Sequence, residues 1–116
     1  MKIKTSELTG AALDWAVAKA LGNTVRIEQF QGRVRVLLAG QRRSAYNGGF
    51  QPSTDWAQGG PIIEREYIWL EINEGQCYAH KDGLRYQEGE TPLVAAMRCL
   101  VAAKLGDEVE VPDELA

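Results

Sequence analysis

The sequence has little of what binds metals, staples chains or crosses membranes. Its two cysteines, Cys77 and Cys99, allow at most one bridge, which excludes a disulfide-stapled scaffold. They read as free, partly buried thiols. His80 is the only histidine, and neither a CxxC nor an HxxxH spacing occurs, so no metal site is expected. No apolar run approaches the roughly 18–20 residues that span a bilayer. Met1-Lys2-Ile3-Lys4 lacks the apolar stretch of a signal peptide. The Gly48-Gly49 and Gly59-Gly60 pairs match neither a P-loop nor a dinucleotide fingerprint, and Ser53 lacks the glycine frame of a nucleophile elbow. The expectation is a cytoplasmic protein with no metal and no cofactor.

What is present suits one globular unit. The 116 residues are 45% hydrophobic and 25% charged, a balance at which a chain buries a core rather than staying disordered. A single domain over 1–116 is expected, since one core commonly serves about 100–150 residues. The net charge of −3 hides an asymmetry. Residues 1–43 carry eight basic and three acidic side chains, whereas residues 44–116 carry five basic and thirteen acidic ones.

Periodicity predicts the elements. A helix is expected near 9–21, with Thr9 as N-cap and Leu13, Ala16, Val17, Ala20 and Leu21 on one stripe. Trp15 lies off that stripe and reads as a boundary residue. Strands follow at about 24–30 and 33–39; a Gln31-Gly32 turn sets Glu28 against Arg35 and Ile27 against Val36. Residues 40–61 form a long loop, which carries Tyr46, Phe50 and Trp56 and is therefore expected to be ordered. Within it, Ser53 or Thr54 is expected to cap one helical turn ended by Gly59. Ile62–Ile72 reads as extended, Gln76–His80 as a strand and Leu84–Gln87 as a short one. Thr91 and Pro92 open a last helix whose stripe is Leu93, Met97, Leu100, Val101 and Leu105, and Gly106 ends it. An acidic extended tail covers about 107–116. If 107–111 is a strand, its acidic face is expected beside the basic hairpin at 26–35. The fold class is therefore α+β: a small antiparallel sheet with an N-terminal and a C-terminal helix packed on it and one long ordered loop.

Seven of the nine aromatic residues lie between 46 and 86, which directs attention to the loop. Tyr46, Ser53, Asp55, Trp56, Gln58 and Arg65 form the candidate ligand-binding set. An aromatic face, an Arg fork and glycine backbone suit a planar, phosphorylated or carboxylated ligand, nucleotide-like for example. The structural alternative is that the same aromatics form a second core that pins the loop down. An acid–base pair of Asp55 with Glu64 or Glu66 would make a small hydrolase or transferase. No catalytic residue is assigned, and the sequence leans away from an enzyme. His80 reads as a surface or boundary residue. Nucleic-acid binding through Arg26, Arg33 and Arg35 would need a clustered basic patch, against a sequence pI of about 5.2.

Three segments carry a family likeness: Ser6–Ala18, Pro52–Arg65, and Thr91–Arg98 with Lys104–Pro112 behind it. Together they resemble the NinX-like family of small proteins from tailed phages and prophages of enteric bacteria. The resemblance implies an accessory phage protein of unknown function, made in the cytoplasm of the bacterial host, and supplies no catalytic residues. A non-catalytic binding module follows as the expectation, holding a small ligand or a host protein through the 46–66 loop. No membrane partner is expected; a homodimer is.

Overall fold

A computed structural model describes residues 1–40 and 49–116, and of Phe30 only the backbone. The first part of the expected loop, with Tyr46, lies outside the described residues.

The C-terminal helix organises the rest. In α3 (Pro92–Leu105) the Thr91 hydroxyl accepts the Val94 N–H at 3.1 Å and Pro92 takes the first turn, as the start signal predicts. Seven of its residues are buried, from Leu93 to Val101, because α3 has neighbours on several sides. A helix that is apolar nearly all round belongs inside a core. Only the end of the predicted stripe departs, with Leu105 40% exposed.

On one side α3 meets α1 (Gly10–Ala20), whose stripe buries Leu13, Ala16 and Val17 as expected. Thr9 stands at the N-cap position without a capping side-chain bond. Asp14 and Ala18 are buried too, because residues 50–53 close over the flank of α1 that the periodicity leaves polar. Trp15 is half-buried at the core edge, with the Lys19 ammonium 5.8 Å from its ring.

Antiparallel pairing runs throughout, but the strands fall into three separate sheets. Strands β2 (Val25–Phe30) and β3 (Arg33–Leu38) form the expected hairpin, with Glu28 opposite Arg35 and Ile27 opposite Val36. The acidic tail does not join it. Instead β7 (Glu108–Glu110) pairs with β1 (Lys2–Lys4), setting Lys2 against Glu110 and Lys4 against Glu108. The Lys-Ile-Lys and Glu-Val-Glu alternations match charge for charge around a central Ile3–Val109 pair. The expected acidic–basic match is real, but the α1–α3 packing brings the two ends of the chain together and supplies a different partner.

The largest departure is α2 (Trp56–Arg65), a helix where one turn followed by an extended segment was expected. It holds Gly59, Gly60 and Pro61 inside it, residues whose intrinsic helix penalties are about 1, 1 and 3 kcal/mol. Tertiary packing overrides them. Ile62 is buried and Ile63 partly so, and Gly59 lies so close to its neighbours that an added Cβ would stand 2.5 Å from the Pro52 carbonyl and 2.6 Å from Leu93. The glycine that looked like a stop is a contact.

Strands β4 (Trp69–Asn73), β5 (Gln76–His80) and β6 (Gln87–Gly89) make the third sheet, in that order. The last strand sits later than the predicted Leu84–Gln87. Gly89 fixes this position, because it rests against the backbone of Ala95 at the start of α3, where no side chain fits. Cys77 and Ala79 face α3 and are buried; both cysteines are free. No helix among the described residues is long and apolar enough to cross a membrane.

Candidate functional site

The segment from Gly49 to Glu66 is where the sequence placed the site, and its polar groups turn inward. The Phe50 N–H donates to Val36 O at 2.7 Å, seating the chain on β3. Gln58 then ties the segment together. Its amide donates to Gly49 O and Asp55 Oδ2, both at 3.1 Å, and its oxygen accepts the Gln51 N–H at 3.0 Å. Asp55 Oδ1 accepts the Ala57 N–H at 3.0 Å, so Asp55 is the N-cap of α2 in place of Ser53 or Thr54. The structure thus brings Asp55 and Gln58 together, as a clasp within the fold.

Ser53 is buried against α1, where its N–H donates to Asp14 Oδ1 at 2.8 Å. Asp14 is 4% exposed, and burial pushes its pKa up to about 6, a rise that the Ser53 N–H and hydroxyl oppose. The hydroxyl lies near enough to act on Asp14 electrostatically, yet Ser53 Oγ has no partner in hydrogen-bond geometry. Asp14 escaped the sequence reading because nothing local marks its side of α1 for burial.

The two residues expected to grip a planar ligand stand apart. Trp56 begins α2 and Arg65 ends it, about 13–14 Å apart along the axis and half a turn round. Trp56 is 54% exposed, and the Arg65 guanidinium reaches Glu66 at 3.8 Å. Helix geometry also removes the proposed acid–base pair. Asp55 lies about 13–16 Å in helical rise from Glu64 and Glu66, beyond the roughly 5–9.5 Å of working carboxylate pairs. Glu66 is engaged besides, with Lys104 Nζ at 3.5 Å and Lys81 Nζ at 3.9 Å. Lys81 also donates to the Glu66 carbonyl at the C-terminal end of α2.

The exposed chemistry lies on the outer face of the third sheet. Antiparallel register sets Trp69 beside His80 and Glu71 beside Tyr78, with Glu88 on the other side of Tyr78. The rings touch. Trp69 and His80 stack at 5.8 Å, His80 meets Tyr86 at 4.6 Å, and Tyr78 meets Tyr86 edge-on at 6.2 Å and 85°. Glu71, Asn73, Tyr78 and Tyr86 line a shallow hollow of about 350 Å³. On the far side of Tyr86 a larger cleft of about 500 Å³ is lined by residues of both signs, Lys4, Arg85, Arg98, Glu88 and Glu108 among them. There the Arg98 guanidinium donates to Leu8 O and Glu88 O, both at 2.8 Å, joining β6 to the N-terminal segment. Burial lowers the pKa of Arg98, and Glu90 opposes the change. The alternation of Tyr67, Trp69 and Glu71 was visible in sequence. The convergence of Tyr78, His80 and Tyr86 on it depends on strand register.

Fold and surface together define a small mixed α+β protein, built on one helical core, with an aromatic sheet face that no other described element covers. The chain belongs to the Bacteriophage P22, NinX family, whose profile matches residues 4–104. Of the segments that carry the likeness, that span includes 6–18, 52–65 and 91–98 but only the first residue of 104–112, and it reaches from the end of β1 to the last turn of α3. No curated protein matches the chain.

Proposed function

We propose that this NinX-family phage protein is a non-catalytic binding module that accepts an extended protein segment along β4, for example from a host protein. One observation carries the reading: all five residues of β4 are exposed, although the strand forms an edge of its sheet and holds three large apolar side chains. Trp69, Leu70 and Ile72 are 60%, 37% and 66% exposed. An edge strand offers unpaired N–H and C=O groups, and proteins normally protect such edges with charge, proline, bulges or a covering element. Glu71 is the only charge on this one. Trp69 stands on the outer face beside His80, while Leu70 and Ile72, opposite Ala79 and Cys77, stand on the other, so exposed apolar side chains flank this edge on both faces. No described strand pairs with it, and strand addition is the recognition mode it suits.

Tyr67, in the turn that leads into β4, is a further exposed aromatic. It is 81% exposed and holds φ 55 just after α2, a left-handed conformation that glycine adopts at lower cost. In the 49–66 segment, by contrast, the polar groups of Asp55 and Gln58 serve the fold, so the binding role moves from the loop to the sheet.

The test is selection of a displayed library of random extended peptides on the full chain, followed by hydrogen exchange. Selected peptides are expected to slow exchange of β4 amides and to lose binding to a Trp69→Ser/Ile72→Ser variant of unchanged stability. Peptides that bind the variant equally, or protection confined to residues 49–66, would overturn the reading.

A further inference from the structure

We propose that the hollow between Tyr78 and Tyr86 is a pocket for a cationic side chain, Lys or Arg, of a basic extended peptide. This rests on the reading of β4 as a strand-accepting edge and adds the chemistry that selects the partner.

The two rings meet at 85° with centroids 6.2 Å apart, so a group entering the notch between them meets a ring face. Ring faces carry the negative lobe of the aromatic quadrupole and attract ammonium and guanidinium groups. Across the sheet Tyr78 has Glu71 on one side and Glu88 on the other, both on the same outer face. Glu71 lines the hollow itself, together with Asn73. Neither Glu71 nor Glu88 makes an ion pair among the described residues. Glu88 shares the cleft beyond Tyr86 with Lys4, Arg85 and Arg98, so Glu71 is the carboxylate that faces the hollow.

The sheet segment itself is acidic, although Lys4, Arg85 and Arg98 line the cleft beyond Tyr86. Residues 67–90 hold five carboxylates, on Glu71, Glu74, Asp82, Glu88 and Glu90, against the two cations of Lys81 and Arg85. Lys81 is drawn towards Glu66 and away from the face. Such a potential repels phosphate and attracts basic segments.

Geometry favours a side chain over a free small cation. The hollow is shallow and open; β4 supplies Glu71 and Asn73 to it, and Tyr78 stands one strand further in, so a long Lys or Arg side chain on an added strand would enter it over Glu71. In strand addition the backbone supplies general affinity and pockets for alternate side chains supply selectivity. On the outer face Trp69 gives the apolar contact and the Tyr78–Tyr86–Glu71 hollow takes the charge, while Ile72 meets the added strand on the other face.

The experiment is a nuclear magnetic resonance titration of the ¹⁵N-labelled full chain at low salt with two peptides. One is acetyl-Val-Thr-Arg-Val-Thr-amide; the other has citrulline in place of arginine, the same shape without the charge. The arginine peptide is expected to bind at least about fivefold more tightly, to shift the amides of Glu71, Tyr78 and Tyr86, and to lose this advantage as salt rises. Tyr86→Ala and Glu71→Gln are each expected to shrink the preference to less than about twofold while signal dispersion shows an intact fold. Equal binding of the two peptides along β4 overturns the pocket and leaves the strand-accepting edge standing. No perturbation of β4 by either peptide overturns both. A homodimer that protects Trp69 and Tyr86 likewise overturns the pocket, because a second copy would then occupy the face.

Discussion

Residues 49–66 and residues 67–90 are adjacent in the chain and rich in aromatic and polar side chains, yet they use them in opposite ways. In the first stretch Asp55 and Gln58 bond to each other and to backbone within the segment, the Ser53 N–H reaches Asp14, Phe50 is buried and Gly59 sits in a close contact. In the second, Trp69, Ile72 and Tyr86 are more than half exposed and Glu71 and Glu88 face solvent. Residue type alone does not separate a clasp from a surface. What separates them is whether a second element lies over the side chains. Residues 49–66 lie against α1, β3 and α3, whereas nothing among the described residues covers the outer face of β4 and β5.

That contrast can be broken at defined points. The largest effect is expected at Gly59. Gly59→Ala is expected to destabilise by about 2–3 kcal/mol through overpacking against Pro52 and Leu93. Gly60→Ala, next to it in the same helix where an added Cβ meets no other part of the fold within 4 Å, is expected to gain about 0.5–1 kcal/mol. Urea denaturation of the two variants measures both, and equal effects would mean that α2 does not pack as described.

A comparable effect with a pH signature is expected at Asp14. Its pKa is raised from 3.8 to about 6 in the folded chain, so the folded state holds its proton more tightly than the unfolded one. The stabilisation from this group is full below about pH 4 and is lost as pH rises through about 6, a fall of roughly 2–3 kcal/mol. Asp14→Asn removes the ionisation and keeps an acceptor for the Ser53 N–H. The stability difference between variant and wild type is expected to move in favour of the variant between pH 4 and pH 7, as read from urea midpoints. A flat difference would place Asp14 in a wetter site.

Gln58→Ala comes next, because it removes the acceptor of the Gln51 N–H and one donor to the Gly49 carbonyl at a part-buried site. A loss of about 1–2 kcal/mol is expected in the same denaturation experiment. The smallest stability effect belongs to the sheet face. Trp69→Ser with Ile72→Ser is expected to change unfolding free energy by no more than about 0.5–1 kcal/mol, as surface positions do. A large loss would make β4 a structural strand and erase the contrast between the two stretches.

Much of the architecture was legible before the structure. The Thr91-Pro92 start, the Gln31-Gly32 turn with its register and the Gln76–His80 strand all rest on chemistry within a few residues of each other. The candidate site was not legible in the same way. Trp56 and Arg65 looked like neighbours only while the intervening residues were taken for a loop; a helix sends them to opposite ends and opposite sides. Residues 56–65 carry glycines and a proline that argue locally against a helix, and the buried contacts of Gly59 and Ile62 outweigh that preference.

The sequence by itself determined the local units: the caps, the turns, the alternation of strands, the apolar runs of α1 and α3 and the two matched charge patterns. Only the tertiary structure decided which units meet. It paired the acidic tail with Lys2–Lys4, buried Asp14 beneath Ser53, and left β4 at an edge that no other described strand pairs with, Tyr86 brought beside Tyr78. The reason is physical. Caps and periodicities depend on residues about one to four positions apart, whereas burial and partner choice depend on elements distant in the chain that come together only when the core around α3 closes.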